Sequence, residues 1–294
     1  MSRQQIDIVD LIPVNTNTDN IIKMDEKRRL NNRYAVGEQL GIGGLSVVYE
    51  ARDDYSEYYG DDRRLAVKLP LEHLSAKSDI DAFMYAEYAH LSRLSHPNII
   101  KVIDFGIDAE FNIPYIVLEQ LNGRLLNEIP LTQFSISMKW NLLYTLFKTI
   151  EYLHTQHIVH ADINPNNIMY LDDESIKLFD FGISINLSKK QLFELDYNTI
   201  KAYNPRYAAP EVIQGDVPTF HSDLFSMAVV CFELYSGQLP YIERSTELFE
   251  RPISLRDLKL LPFGLRRWFK YALSADPMKR NKSYPLFLEI KKYI

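Results

Sequence analysis

In the first third of the chain apolar residues come in short bursts that stop at Gly, Pro or Asp. The bursts at 34–40, 47–52, 65–70, 101–105 and 115–119 are rich in β-branched and aromatic residues, which predicts strands. One segment breaks this series. From about 79 to 94, Phe83, Ala86, His90, Leu91 and Leu94 recur at helical spacing, and His96-Pro97-Asn98 supplies a stop. After Gly123 the period lengthens to that of a helix, and Trp140, Leu143, Leu146, Phe147, Ile150 and Leu153 trace one stripe. Residues 222–235 are apolar nearly all round, which predicts a helix buried on every side and ended by Gly237. Further helices are expected over about 261–274 and 282–293. No internal repeat or low-complexity tract occurs. Residues 1–32, with Asn15, Asn17, Asn20, Asn31, Asn32 and the run Lys27-Arg28-Arg29, suit an extension better than a core. A strand-rich part thus precedes a helix-rich part, the α+β class.

Composition narrows the functions available. The 294 residues are 46% hydrophobic and 24% charged, ample for a buried core. With 33 Lys and Arg against 39 Asp and Glu, the net charge of −6 argues against a general nucleic-acid binder, which needs a cationic excess. The sole cysteine, Cys231, rules out an internal disulfide framework and a multi-cysteine zinc site, and fits a reducing compartment. No stretch approaches the roughly 18 apolar residues of a membrane span. The start, Met1-Ser2-Arg3-Gln4-Gln5, leads into Ile6-Asp7-Ile8-Val9-Asp10 and not into an uninterrupted apolar run. The chain is therefore expected to be soluble, unsecreted and cytoplasmic, with no membrane or nucleic-acid partner.

Only 11 glycines occur, yet three fall within Gly41-Ile42-Gly43-Gly44, followed by Leu45-Ser46-Val47-Val48. Such a loop lets backbone N–H groups approach phosphate oxygens that a Cβ would block. The chain continues as a strand, not the helix of a dinucleotide fold, so the segment reads either as a hairpin covering a ligand or as an ordinary turn. In the third strand, alternation sets Leu65, Val67 and Leu69 on one face and Ala66 with Lys68 on the other. On the 79–94 helix, Glu87 lies four residues from both Phe83 and Leu91, within the apolar stripe. Lys68 and Glu87 either answer each other as a buried pair or snorkel separately to the surface.

Downstream, His160-Ala161-Asp162-Ile163-Asn164-Pro165-Asn166-Asn167 follows the long helix, and Asp180-Phe181-Gly182 follows a short strand at 176–179. A carboxylate able to accept a hydroxyl proton, an amide five positions on and a second carboxylate 18 positions on are what phosphoryl transfer around Mg²⁺ demands. Here the chain resembles the eukaryotic-type protein kinase family. The resemblance runs from about Tyr34 to the C-terminus, with the motifs in order: the glycine loop with Val48, Ala66-Val67-Lys68, Glu87, the 160–167 loop, Asp180-Phe181-Gly182 and Ala209-Pro210-Glu211. It implies a bilobal fold, with a small antiparallel-sheet lobe carrying one key helix (33–121) and a larger helical lobe (122–294). It also implies that ATP and Mg²⁺ are the cofactors and a protein is the substrate.

Family roles carry over where residues match. Lys68 would hold the α and β phosphates and pair with Glu87, Asp162 would be the base, and Asn167 and Asp180 would bind Mg²⁺. Gly41, Gly43, Gly44 and Ser46 would cover the phosphates, and Val48, Ala66 and Met169 would sandwich the adenine. Glu119 and Leu121 look like the hinge that reads the adenine edge through backbone groups, with Leu118 behind it. Asp223, Phe225 and Ser226 resemble the start of the family's buried central helix, and Arg280, after Asp276-Pro277, would pair with Glu211. His154, His157 and His160 recur every three residues, but the resemblance makes His160 a packing residue and the others helix-end residues, not a metal site. The acidic, Tyr-rich stretch 53–62 reads as a solvated loop.

Departures matter as well. Ala161 replaces the arginine of many regulated members, so no cation precedes the base to bind a phosphate on the 183–208 stretch, although Ser184, Ser188 and Thr199 are available. Asn164 replaces a lysine that contacts the γ-phosphate, and Asn204 replaces a threonine near the base. Losing one donor to a developing oxyanion costs about 10²–10³ in rate, so slow catalysis is expected unless Asn164, counted here among the catalytic residues, or a cation elsewhere compensates. Ser46, at the third glycine position, is milder. The favoured reading is an active serine/threonine-type protein kinase. Its alternatives are a nucleotide-binding pseudokinase scaffold and a small-molecule kinase of the aminoglycoside or choline type. Ala209-Pro210-Glu211 and the buried 222–235 helix speak against the last.

Overall fold

The computed structural model describes residues 28–75, 80–188, 203–241 and 258–290. They form two compact units. The first comprises 28–75 and 80–122 with 180–182. Its strands are β1 (Arg29–Leu30), β2 (Tyr34–Ile42), β3 (Ser46–Asp53), β4 (Leu65–Pro70), β5 (Val102–Asp108) and β6 (Ile113–Glu119), and its helices are α1 (Asp54–Tyr58), α2 (Glu72–Ser75) and α3 (Ile80–Leu91). The strands make one sheet in the order β1-β2-β3-β4-β6-β5, each neighbouring pair antiparallel. Helix α3 packs on β5 and β6. All six residues of β4 are buried, since a strand inside the sheet with both faces covered exposes nothing.

Three details differ from the sequence reading. The sheet begins at Arg29, because Arg29 and Leu30 pair with Ala35 and Tyr34 of β2, so 29–32 are not part of an extension. Part of the acidic stretch is helix α1, not loop. Asp53 caps it by accepting the Tyr55 N–H at 3.1 Å and is itself gripped by two nitrogens of Arg33, at 2.8 and 3.0 Å. A cap of this kind nucleates one turn without any apolar periodicity. Helix α3 stops at Leu91, where the ladder tightens to short-range bonds from Arg93 to His90 and from Leu94 to Leu91.

The second unit comprises 123–179, 183–188, 203–241 and 258–290. It holds β7 (Gly123–Leu125), α4 (Ile136–Thr155), β8 (Ile158–Val159), β9 (Ile168–Leu171), β10 (Ile176–Leu178), β11 (Ile185–Asn186), α5 (Pro210–Ile213), α6 (Phe220–Ser236), α7 (Phe263–Ala272), α8 (Pro277–Arg280) and α9 (Ser283–Ile290). Strands β7, β9 and β10 form one small antiparallel sheet, and β8 pairs with β11 in another. Ser135 caps α4 by accepting the Met138 N–H at 3.2 Å. Helix α6 is buried along nearly its whole length and packs against α4, α7 and α8, as its all-round apolar character requires. Its fully covered Phe225, Phe232 and Leu234 each contribute about 1.5–3 kcal/mol by leaving water.

Candidate active site

The glycine cluster sits where β2 turns into β3, closed by the Gly43 N–H on the Ser46 carbonyl at 2.7 Å. It is a hairpin, as the sequence pattern requires. None of Gly41, Gly43 and Gly44 has a positive φ, and a Cβ at Gly41 or Gly44 would meet nothing within 4 Å. No contact or backbone conformation among the described residues accounts for these glycines. An exposed loop open to close approach is the property that phosphate binding uses. Val48 lies opposite Lys68 on β4, and Ala66 lies opposite Leu118 on β6.

The Lys68 ammonium is buried and donates to both oxygens of Glu87, at 2.8 Å each, and to Asp180 Oδ1 at 2.8 Å. These positions are separated by 19 and 112 residues along the chain. Burial opposes the charge on Lys68, but Asp180 and Glu87 outweigh it and hold its pKa above the ordinary lysine value. Burial lifts the Glu87 carboxyl above the usual range, against the pull of Lys68. The three hydrogen bonds of the ammonium all go to carboxylate oxygens, one of them on the half-exposed Asp180, and they fix the cation in place. Glu119 ends β6; its carboxylate accepts the Lys101 N–H at 2.8 Å and its own N–H donates to the Lys101 carbonyl at 3.0 Å. Leu121 follows, half-buried.

In the second unit, the 160–167 loop is pinned at its start by Asp223, whose carboxylate accepts the N–H groups of His160 and Ala161 at 2.8 and 2.9 Å. Ala161 is held at a φ of 70°. Asp162 follows, its two oxygens occupied by separate donors: the Asn204 main-chain N–H at 2.8 Å on Oδ1 and Asn167 Nδ2 at 2.8 Å on Oδ2. Asn167 Nδ2 also reaches the Asp162 carbonyl at 2.8 Å. With its nitrogen so engaged, Asn167 keeps Oδ1 as a hard oxygen donor, the type Mg²⁺ takes. Asn164 is buried beside them and begins the tight turn Pro165–Asn167. Met169 lies on β9, paired across to Leu125 and Lys177.

The structure thus brings Lys68, Glu87 and Asp180 together in the first unit, and Asp162, Asn164 and Asn167 together in the second. Sequence reasoning missed the Asn204 amide on Asp162, because a main-chain donor has no residue-type signature. The three histidines have separate duties: His154 lies between Tyr284 and Asp223, at 2.9 and 3.1 Å, while His160 Nε2 faces the Phe179 carbonyl at 3.1 Å. His157 sits at the end of α4 with a φ of 59°. Arg280 meets Glu211 through two nitrogens, at 2.6 and 2.9 Å.

Comparison with known proteins agrees. The family described as protein kinase domain matches residues 34–265. A probable serine/threonine-protein kinase of Clostridium acetobutylicum is 32% identical over 215 residues, covering 72% of this chain and 31% of its own length. Serine/threonine-protein kinase PrkC of Bacillus subtilis is 30% identical over 243 residues, covering 82% of this chain and 35% of its own. A probable serine/threonine-protein kinase of Streptomyces coelicolor is 31% identical over 223 residues, covering 74% and 32%. The chain therefore spans about a third of the length of these curated relatives.

Proposed function

This chain belongs to the protein kinase domain family, and from that premise we propose that it transfers the γ-phosphoryl group of ATP to serine or threonine hydroxyls of a protein. The observation that carries the reading is the buried Lys68 ammonium bridging Glu87 and Asp180. Such a lysine-to-glutamate pair is what a working kinase needs in place before transfer. Lys68 would hold the α and β phosphates, with the N–H groups of the 41–46 loop above them. The main chain at Glu119 and Leu121 would read the adenine edge, against the apolar faces of Val48 and Ala66. Asp162 would orient the acceptor hydroxyl and take its proton.

Mg²⁺, when bound, supplies charge neutralisation on the phosphates. Asn167 Oδ1 and the half-exposed Asp180 carboxylate each fit it as oxygen ligands. Serine/threonine preference rests on the names of the relatives. Family membership supports a protein acceptor over a small molecule. The pseudokinase reading stays as the rival, since Asn164 and Asn204 stand at positions where the family usually has other residues.

The test is transfer of labelled phosphate from Mg·ATP to a generic protein acceptor, with Lys68→Met and Asp162→Asn beside wild type and thermal melts of all three. Wild-type transfer reduced by about 10²–10⁴ in both folded variants supports the proposal. Nucleotide binding without transfer to any protein overturns it in favour of a scaffold.

A further inference from the structure

Asn164 occupies a place where a phosphate-directed side chain is expected, yet its polar atoms face its own loop. The residue is 2% exposed. Its Oδ1 accepts the Asn166 N–H at 2.9 Å, and its Nδ2 donates to the Asp162 carbonyl at 3.1 Å. Its own carbonyl accepts the Asn167 N–H at 3.0 Å, and Pro165 supplies the fixed φ of the first turn position. The result is a capped turn whose last residue is Asn167, the group that clamps the Asp162 carboxylate. Asn204 repeats the device. Its Oδ1 accepts the Arg206 N–H at 3.0 Å, and its carbonyl accepts the N–H groups of Tyr207 and Ala208 at 3.1 Å, which leaves its own N–H aimed at Asp162 Oδ1.

Resting on the kinase reading above, we infer that Asn164 is a positioning residue. It fixes Asp162 and Asn167 through the turn it caps and donates nothing to the transferred phosphoryl group. The two asparagines are then turn formers that lock the base through backbone and amide donors, not remnants of a decayed site. Lysine, with a cationic donor and no acceptor, cannot accept the Asn166 N–H and so cannot make this cap. Serine can, because its hydroxyl caps about as well as an asparagine oxygen.

The experiment measures kcat, KM for ATP and KM for a protein acceptor in the full chain for wild type and the variants Asn164→Ser, Asn164→Ala and Asn164→Gln. Thermal melts accompany each variant, and Lys68→Met serves as the inactive control. Positioning predicts that Ser keeps kcat within about threefold of wild type while Ala and Gln each lose about tenfold, with both KM values within about twofold throughout. Gln keeps the amide donor but is too long to cap, so it separates donation from capping. The inference fails if Ser is as slow as Ala, which removes the cap as the cause, or if Gln matches or exceeds wild type, which makes the amide a donor to phosphate. Absence of transfer by wild type, equal to Lys68→Met, would instead bring down the kinase reading and this inference with it.

Discussion

His90 shows how far one side chain can be driven by its surroundings. It lies near the end of α3 with Nδ1 buried and without a hydrogen-bond partner among the described residues. Burial, helped by repulsion from Arg93, lowers its pKa from 6.5 to about 4. A depressed folded-state pKa means that the unfolded chain takes up the proton first as the pH falls. The stability held above about pH 6.5 is therefore lost on the way down to about pH 4, by at most about 3 kcal/mol. Denaturant melts of wild type and His90→Gln across that window should diverge, wild type weakening more; parallel curves would show that the imidazole titrates normally. The same dependence on surroundings explains why Lys68 and Glu87 left two readings open in the sequence. Each type usually sits at the surface, and only the approach of one to the other makes burial tolerable.

Among the elements, α6 owes its clean end to backbone geometry. Gly237 adopts a φ of 76° and its N–H donates to the Glu233 carbonyl at 2.8 Å. A Cβ there would meet nothing within 4 Å, so Gly237→Ala should act through conformation alone, costing about 1 kcal/mol in thermal melts with wild-type kinetics. A loss several times larger would mean that the residue packs against something. The long elements were legible because they run through several helical periods: α3, α4 and α6 each lie under the predicted stripes. The short ones were not. Helix α1 depends on one capping carboxylate and β1 on pairing with a neighbour, and neither leaves a repeat that could be counted.

Across the whole molecule, the second unit is tied by Arg280, which is fully buried and gathers Glu211, the His221 carbonyl, the Ser274 carbonyl and the Ala275 carbonyl around one guanidinium. Ser222 adds a hydroxyl to Glu211 at 3.0 Å. Arg280→Ala leaves the Glu211 carboxylate uncompensated and should cost about 3–5 kcal/mol in denaturant unfolding. Arg280→Met with Glu211→Leu should lose clearly less than the sum of the single changes, since no lone charge remains. Additive losses would show that the two groups act independently. At this scale the sequence spoke through the order of the motifs, from the glycine loop to Ala209-Pro210-Glu211.

The sequence by itself determined which chemical groups exist and in what order: three glycines before a strand, one lysine in an apolar strand, and carboxylates and amides at fixed separations. It also determined the alternation of periods, because side-chain direction repeats every two residues in a strand and every 3.6 in a helix. Only the tertiary structure decided that Lys68 meets Glu87 and Asp180, that Asn164 faces its own turn, and that a main-chain amide from Asn204 holds Asp162. The physical reason is that a hydrogen bond depends on distance and direction, whereas the linear chain records only the identity of its donors and acceptors.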